Sequence, residues 1–325
     1  MAVYTSLGAE TLAELIACYD VGELVSAKGI AEGISNSNWL IETKRPGESS
    51  RRYILTMYER RINAADLPFF LGLLDHLAAR GCAVPATFHD REGAGWRELD
   101  GKAVALIEFL PGVSPSTPTP SQAHAVGEAL ARVHLAGREF PLTRRDPLGP
   151  AANSATLKRC GKARLATIAP ALSETAALAD EIAERWPSAL PRSIIHSDLF
   201  PDNVLMLGER VTGLIDFYFA CDGMMAYDLA VTHAAWSFDP GGRHFSPALG
   251  TALLTGYESV RTLTPEERSA LPLLAEGACL RFLASRAEDW LEVPAGAQVT
   301  RKDPLDFHNR WQFYREAGSR AFATV

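Results

Sequence analysis

Short apolar runs bounded by polar turns recur in the first third of the chain, whereas later segments show helical spacing. Runs of about four to eight residues rich in β-branched and aromatic side chains and bounded by turn residues are typical of strands. Five segments have this pattern: 24–31, 36–43, 52–58, 95–99 and 102–109. The last two flank Asp100-Gly101, a dipeptide that favours a tight hairpin turn. The pattern predicts a five-stranded antiparallel sheet.

Two helices accompany these strands. Leu12, Leu15 and Ile16 recur at helical intervals before the first strand. Between the third and fourth strands, Asp66 and Pro68 have the residue types of a helix start, and Gly81 has that of a helix end. We therefore expect a packing helix at the N-terminus and one helix inserted in the sheet.

The remainder of the chain is predominantly helical. Segment 113–120 contains three prolines among small polar residues, which is typical of a boundary between lobes. Helical spacing follows in six segments: 121–136, 157–168, 172–186, 226–236, 247–260 and from 265 onward. Ser246 and the Thr264-to-Glu267 capping box mark two of the starts, and Pro272 should break the last helix. The pattern predicts an α+β chain with lobes at 1–110 and 111–325.

One motif carries recognisable chemistry. His196-Ser197-Asp198 is followed by Asn203, which gives the His-x-Asp-x-x-x-x-Asn spacing of a kinase catalytic loop. Phosphoryl transfer requires a group that accepts the hydroxyl proton and ligands that hold Mg²⁺ at the phosphates. Asp198 is the candidate base, and Asn203 is a candidate Mg²⁺ ligand.

The residues after this motif supply a second metal ligand. Segments 204–207 and 211–215 are apolar and flank a turn at Gly208, which predicts a hairpin. Such a hairpin brings Asn203 and Asp216 to the same open end, and both have the oxygen ligands that Mg²⁺ prefers. Asp216-Phe217 would then correspond to the start of a kinase Asp-Phe-Gly motif. The alternative is that the motif arises by chance and its polar residues only cap a turn.

Nucleotide-binding candidates lie on the predicted sheet and at its end. Glycines and small polar residues around the first hairpin could cover phosphates with their backbone amides: Gly29, Gly33, Ser35 and Asn36. An ordinary hairpin would have similar residues. Adenine would pair with backbone groups near Glu108 and Leu110, although a plain linker would also have this composition. These residues assign nucleotide binding to lobe 1–110.

Three departures from the protein-kinase motifs argue against a protein substrate. Ser197 replaces the Arg of His-Arg-Asp, Tyr218 replaces the Gly of Asp-Phe-Gly, and no Ala-Pro-Glu follows. A phosphorylated activation loop and peptide docking are therefore not expected. A small hydroxylated metabolite is the better candidate acceptor.

Composition and charge limit the possible partners. The chain has 325 residues, of which 47% are hydrophobic and 22% charged, and its formal net charge is −7. The absence of a basic block argues against nucleic acid or anionic membrane as a partner. We see no signal peptide and no apolar run of membrane-spanning length, and we expect a cytoplasmic protein. The five scattered cysteines are expected to be reduced core residues. Oligomeric state is not readable.

The chain resembles the homoserine kinases of the aminoglycoside-phosphotransferase/choline-kinase-like superfamily along nearly its whole length. Six segments carry the resemblance: 29–33, 37–40, 54–59, 66–70, 196–203 and 214–221. The superfamily also contains kinases of choline, aminoglycosides and methylthioribose, and the Leu-Phe-Pro-Asp-Asn and Asp-Phe-Tyr-Phe-Ala variants favour homoserine. The resemblance implies a two-lobed protein-kinase-like fold, ATP and Mg²⁺ use, phosphorylation of the L-homoserine side-chain hydroxyl, and a place in threonine biosynthesis.

The chain departs from general kinase chemistry at one position. The strand lysine that binds the α- and β-phosphates is replaced by Thr56, and the partner Glu is also missing from the helix near Phe70. Arg60 or Arg61 could replace the lysine, or Thr56 could contact the phosphates weakly. A nucleotide-binding pseudokinase is the non-enzymatic alternative, and a kinase of another small metabolite is the enzymatic one.

Homoserine is a zwitterion, so its site needs a cation for the carboxylate and an anion or carbonyls for the ammonium group. Arg281 and Arg286 are candidates for the carboxylate. Candidates for the ammonium group are Asp202, Asp222, Tyr227 and Asp228. Asp228 could instead brace the catalytic loop, and the arginines could lie on the surface.

Overall fold

A computed structural model describes residues 7–30, 36–59, 63–292 and 301–323. Two compact units are present. Unit 1 contains residues 1–112 and 212–218, and unit 2 contains residues 113–211 and 219–325. Strands predominate in unit 1 and helices in unit 2, which confirms the α+β fold class.

Unit 1 is built on an antiparallel sheet. Its strands are β1 (Glu23–Ile30), β2 (Asn36–Lys44), β3 (Arg51–Tyr58), β4 (Thr87–Phe88), β5 (Arg97–Leu99) and β6 (Lys102–Glu108). The strand order is β1-β2-β3-β6-β4. Strand β4 pairs with the C-terminal half of β6, and β5 pairs with its N-terminal half. Asp100 and Gly101 both have positive φ, of 52° and 74°, which gives the tight β5–β6 turn that their residue types predict.

Alternation along the strands divides the core of unit 1 into two layers. The helices are α1 (Ala9–Ala17) and α2 (Leu67–Ala79). Trp39, Leu55 and Leu106 share a buried cluster with the apolar face of α1. Ala103 and Ala105 point to the opposite face, where they pack with Leu67 and Leu71 of α2.

Two details of unit 1 differ from the sequence prediction. The sheet has six strands rather than five, because Thr87 and Phe88 add a two-residue strand beside β6. Asp66 makes no side-chain capping bond to α2. Instead, Asn63 Oδ1 accepts a hydrogen bond from Ala65 N at 3.1 Å and caps the short 3₁₀ turn that precedes α2. The predicted turn at 32–35 lies outside the described residues.

Helices surround two short strand pairs in unit 2. The described helices are α3 (Pro120–Gly137), α4 (Pro150–Cys160), α5 (Lys162–Ile168), α6 (Thr175–Glu184), α7 (Met225–Trp236), α8 (Pro247–Val260), α9 (Pro265–Glu292) and α10 (Leu305–Ala317). The strands are β7 (Arg192–Ile195), β8 (Val204–Leu207), β9 (Arg210–Leu214) and β10 (Cys221–Met224). β7 pairs with β10, and β8 pairs with β9 in the predicted hairpin. The chain passes from unit 2 into unit 1 within β9.

Helix α7 forms the centre of unit 2. All twelve of its residues are buried, so it lacks the polar face of a surface helix. Helices α3 and α8 cross beside it at two glycines, because a Cβ on Gly127 would lie 2.1 Å from Leu253 O and one on Gly256 would lie 2.0 Å from His124 O. Only glycine permits so close an approach of two helix backbones.

The helix termini partly follow the sequence signals. Ser246 caps α8, and Thr264 and Glu267 exchange the reciprocal bonds of a capping box. Helix α3 is capped by Thr119 rather than Ser121, because Thr119 Oγ1 accepts a hydrogen bond from Gln122 N. The predicted break at Pro272 is wrong, since α9 continues through it for 28 residues. Burial of the apolar face of α9 outweighs the hydrogen bond that Pro272 removes.

Two expectations about the whole chain concern membranes and disulfides. In the described part of the chain, every helix is too short or too polar to cross a membrane. All five cysteines are free thiols, and four of them are buried.

Candidate functional site

The catalytic-loop motif follows β7 directly. His196 and Ser197 are buried, and Asp198 is partly exposed. Ser197 has φ of 69°, a left-handed conformation that is uncommon for a residue other than glycine. Such backbone conformations persist where the surroundings enforce them, and they concentrate at functional sites. Here, two side chains enforce it.

The first of these is Asp228, in the first turn of α7. Its carboxylate is fully buried, with Oδ2 accepting a hydrogen bond from His196 N at 2.7 Å and Oδ1 accepting one from Ser197 N at 2.6 Å. His134 Nε2 lies 3.0 Å from Oδ2. Burial alone would raise the pKa of Asp228, but the hydrogen bond and charge of His134 and the bond from His196 lower it below the ordinary value. Of the two roles left open by the sequence, the geometry favours bracing the loop.

The pair formed by His134 and Asp228 is itself anchored. Tyr257 of α8 places its hydroxyl 2.8 Å from His134 Nδ1. Burial raises the pKa of Tyr257, so the phenol stays neutral. The α3–α8 crossing therefore fixes the histidine that holds the loop carboxylate.

The second restraint on Ser197 is Arg281 of α9. Its guanidinium donates hydrogen bonds to the Ser197 carbonyl and, at 2.8 Å, to Ser197 Oγ. Arg281 is buried and lies 4.7 Å from the Phe282 ring centroid. Burial tends to lower the pKa of Arg281, but Tyr227 and the negative charges of Asp198 and Asp146 together have a larger, opposite effect. The pKa of Arg281 therefore lies above its usual value. The sequence assigned Arg281 to the substrate carboxylate, whereas its observed hydrogen bonds include two to the catalytic loop.

The polar end of the loop is a short turn. Pro201–Asn203 form a 3₁₀ turn. Asn203 Nδ2 donates to Asp198 O at 2.8 Å and lies 3.4 Å from Asp198 Oδ2. The amide nitrogen is thus used within the loop, and Oδ1 is the atom that could ligate a cation. Asp198 and Asn203, the two candidates from the motif, therefore lie in one loop of unit 2 and are hydrogen-bonded to each other.

Asp216 belongs to unit 1. It is exposed and has φ of 66°, so it is one of three described residues other than glycine with positive φ. Tyr218 follows it and packs edge-to-face against Tyr58 and Phe70, with ring centroids 5.7 Å apart in both cases. These aromatic contacts anchor the chain two residues after Asp216.

The nucleotide-binding candidates in unit 1 are only partly described. Gly29 lies on the exposed strand β1, opposite Trp39, and Asn36 begins β2. Thr56 is buried and donates its hydroxyl hydrogen to Asn38 Oδ1 at 2.8 Å. Gly33 and Ser35 lie outside the described residues, as do Arg60 and Arg61.

At the end of the sheet, the backbone of Glu108 pairs with Ala86. Glu108 N donates to Ala86 O at 2.9 Å, and Glu108 Oε2 accepts from Ala86 N at 3.2 Å. The N–H of Glu108 is therefore used within unit 1. Leu110, two residues beyond it and outside β6, is the better candidate for an adenine donor.

Several substrate-binding candidates have other partners. Arg286 donates to Asp306 Oδ2 at 2.8 Å, and Asp222 accepts from Arg192 at 3.1 Å. Asp202 is exposed beside the loop, and its carbonyl accepts from Ser114. Tyr227 is buried beside Trp186, with ring centroids 5.3 Å apart.

Comparison with known proteins decides the family. The profile described as "Phosphotransferase enzyme family" matches residues 26–263. The chain belongs to the phosphotransferase enzyme family. Homoserine kinase of Sinorhizobium fredii is 48% identical over 324 residues, which cover 99% of this chain and 97% of that protein. Homoserine kinase of Acidiphilium cryptum is 45% identical, with 99% of each chain covered. These matches confirm the resemblance found in the sequence.

Solved structures of kinases have the same fold. Spectinomycin phosphotransferase in complex with ADP and spectinomycin has a TM-score of 0.68 at 14% identity and covers 98% of this chain and 99% of its own. Amicoumacin kinase in complex with AMP-PNP and Ca²⁺ has a TM-score of 0.67 at 11% identity, with coverage of 98% and 95%. They confirm a phosphotransferase fold.

One ion pair of this phosphotransferase was missed by sequence reasoning. Lys102 Nζ lies 2.5 Å from Glu59 Oε2, and Ser37 Oγ donates to Glu59 Oε1 at 2.7 Å. The pairing of Met57 with Val104 brings the two charged residues together. The sequence indicates the turn before Lys102, but it does not show that β3 and β6 are neighbours, because this pairing joins distant segments. Unit 1 thus has a Lys–Glu pair, although not at the position expected for kinases.

Asp228→Asn is predicted to destabilise the protein by about 3 kcal/mol or more at neutral pH, because a buried carboxylate bound to His134 and two N–H groups is lost. Since the folded-state pKa of Asp228 is depressed, its stabilising effect is present above the unfolded pKa and declines as pH falls below about 4. Urea unfolding measured from pH 7 to pH 3 should therefore show that the difference in free energy of unfolding between wild type and variant becomes smaller as the pH falls.

The control for this experiment is Asp303→Asn, since Asp303 accepts one backbone N–H, from Leu305, at 2.9 Å. Its cost should stay below about 1 kcal/mol. An Asp228→Asn protein as stable as wild type would contradict the bracing role.

Proposed function

We propose that this protein is an ATP-dependent homoserine kinase, which transfers the γ-phosphoryl group of ATP to the side-chain hydroxyl of L-homoserine and so acts in threonine biosynthesis. The observation that carries the proposal is the 45–48% identity to homoserine kinases over nearly the whole chain. The family match extends this to phosphotransfer as the reaction class. Solved neighbours in complex with AMP-PNP or ADP support ATP as the donor.

Asp198 is the proposed general base. It follows the left-handed Ser197 and is partly exposed, so its carboxylate can reach a substrate hydroxyl. A carboxylate within hydrogen-bond distance of the hydroxyl would accept its proton as the oxygen attacks phosphorus. Arg281, Asp228 and Asn203 hold the backbone on either side of it.

Asn203 and Asp216 are the proposed Mg²⁺ ligands. A carboxylate and an amide oxygen suit this hard cation, and the Asn203 nitrogen is already bound within the loop. Within the described residues, no three His, Cys, Asp or Glu side chains cluster as a metal site, so water and phosphate oxygens would complete the coordination. Bound Mg²⁺ would offset negative charge on the phosphates.

Unit 1 is the proposed nucleotide-binding unit. Gly29, Gly33, Ser35 and Asn36 would cover the phosphates, and the backbone near Glu108 and Leu110 would pair with adenine. Thr56 donates its hydroxyl hydrogen to Asn38, which leaves it as a weak phosphate contact at most. Arg60 and Arg61 remain candidates for the lysine that the chain lacks.

A coupled ADP-release assay across L-homoserine, choline, methylthioribose, an aminoglycoside and L-serine tests the proposal. We expect kcat/KM to be highest for homoserine. Higher turnover of another alcohol would assign the enzyme to that metabolite. Nucleotide binding in a thermal-shift assay without turnover of any of them would favour a pseudokinase.

Asp198→Asn is predicted to lower kcat by ~10²–10⁴, because the amide cannot accept the hydroxyl proton. ATP affinity should be unchanged, since the substitution preserves size and the capacity to accept hydrogen bonds. Steady-state kinetics with homoserine, together with nucleotide titration, measures both quantities. An unchanged kcat would remove Asp198 as the base.

Asp216→Asn is predicted to raise the Mg²⁺ concentration for half-maximal activity at least ~10-fold, because a charged ligand is lost. Asn tolerates the left-handed backbone, so the effect reports on charge rather than strain. Asp100→Asn is the matched control, since Asp100 is also an exposed aspartate with positive φ in unit 1. Equal Mg²⁺ dependence in the two variants would show that Asp216 is not a metal ligand.

A further inference from the structure

Unit 2 contains a cavity of about 550 Å³ that the base, metal and nucleotide roles proposed above do not use. Arg144 and Asp146, in the segment before α4, line one side. Trp186, Asp222 and Tyr227 line the remainder, together with the exposed end of β7. The walls thus combine both signs of charge with two aromatic rings. Such a combination suits a small zwitterion better than an apolar ligand.

The cavity adjoins the residue that braces the catalytic loop. Tyr227 directly precedes Asp228, whose carboxylate accepts a hydrogen bond from Ser197 N at 2.6 Å. Burial raises the pKa of Tyr227; the positive charge of Arg281 opposes this, and the negative charge of Asp146 adds to it. The negative charges of Asp198 and Asp146 both raise the pKa of Arg281. The wall that contains Tyr227 thus adjoins, through Asp228, the loop that carries the proposed base.

Asp146 has an oxygen to offer a ligand. Its Oδ1 accepts a hydrogen bond from Leu148 N at 2.8 Å, which closes a local turn, and Oδ2 has no hydrogen-bond partner among the described residues. The side chain is half-buried. A carboxylate oriented by one backbone bond can accept an ammonium group without the entropic cost of ordering a mobile side chain.

Two of the arginines on the walls, Arg144 and Arg192, donate to backbone carbonyls. Arg192 binds Asp222 through Nε at 3.1 Å and through Nη2 to the Asp222 carbonyl at 2.7 Å, so these two largely neutralise each other. Arg144, two residues before Asp146, donates from Nη1 to the carbonyl of Ala220 at 3.2 Å. This bond orients the planar guanidinium. An oriented guanidinium suits recognition of a carboxylate.

We propose that this cavity binds the amino-acid acceptor, with Asp146 receiving its ammonium group and Arg144 its carboxylate. The Trp186 and Tyr227 rings cover the methylene groups, and the hydroxyl extends toward Asp198. This proposal rests on the proposed function. It replaces Arg281 and Asp228 as substrate ligands, because both are buried and bound to the catalytic loop.

The first test is Asp146→Asn, which keeps an oxygen to accept from Leu148 N and removes the charge. The KM for L-homoserine should rise about 10- to 100-fold, which is the loss of affinity expected when a hydrogen bond to a charged group is weakened. The KM for ATP should not change. Inhibition by 4-hydroxybutyrate, which lacks the ammonium group, should be unaffected. The preference for homoserine over this analogue should therefore collapse in the variant.

Asp303→Asn is the matched control, because Asp303 is also half-buried and closes the same kind of turn, with Leu305 N, before a helix of unit 2. Its kinetics should equal those of wild type. Equal KM values for homoserine in Asp146→Asn and Asp303→Asn would overturn the assignment of Asp146.

The second test is Arg144→Gln, with 3-aminopropan-1-ol as the analogue that lacks the carboxylate. The KM for homoserine should rise by a similar factor, and inhibition by the analogue should not change. Arg320→Gln is the control, since Arg320 also donates to backbone carbonyls, in this case of Glu316 and Ala317. If Arg144→Gln retains the wild-type preference for homoserine, the carboxylate binds elsewhere.

The two proposals fail in distinguishable ways. Wild-type enzyme that does not phosphorylate homoserine would contradict the proposed function. Wild-type enzyme that does, with KM unchanged in both cavity variants, would contradict only the acceptor site. If Asp146→Asn melts well below wild type in thermal unfolding, the Arg144→Gln arm decides the outcome.

Discussion

A buried carboxylate holds the catalytic loop in place. Asp228 binds two successive backbone N–H groups, of His196 and Ser197, and the same side chain pairs with His134. A carboxylate removed from water is costly unless every oxygen is satisfied, and here three donors satisfy it. Displacing the loop would leave this buried carboxylate without its two backbone donors, which is unfavourable. The backbone immediately before Asp198 is therefore held in place.

Much of unit 2 supports this arrangement. Helix α7 is buried on all sides and carries Asp228, whereas α3 and α8 supply His134 and Tyr257 across a crossing that only glycines permit. Arg281 of α9 binds the carbonyl and hydroxyl of Ser197 from another direction. The left-handed Ser197 is thus held on both its N–H and its C=O side, which is how a strained residue persists at a functional site. The proposed base, Asp198, would therefore lose little freedom when the substrate binds.

Local signals predicted the parts of the fold that depend on neighbouring residues. The Asp100-Gly101 turn, the Ser246 cap and the β8–β9 hairpin each follow from a few adjacent residues, and all three are present. The two-residue strand β4 was missed because it exists only through pairing with β6. Pro272 was misjudged because tertiary burial outweighs one missing hydrogen bond. The motif predicted Asp198 and Asn203 as site residues from local spacing, whereas the partners of Arg281 required the folded structure.

Amide hydrogen exchange of His196 and Ser197, followed by NMR in wild type and in Asp228→Asn, tests the bracing of the loop most directly. If the Asp228 carboxylate holds the loop, both amides exchange in the wild-type protein as slowly as the buried amides of α7, and in the variant they exchange at least ~10-fold faster than those amides. Fast exchange of both amides in the wild type, or equal protection in both proteins, would contradict the account.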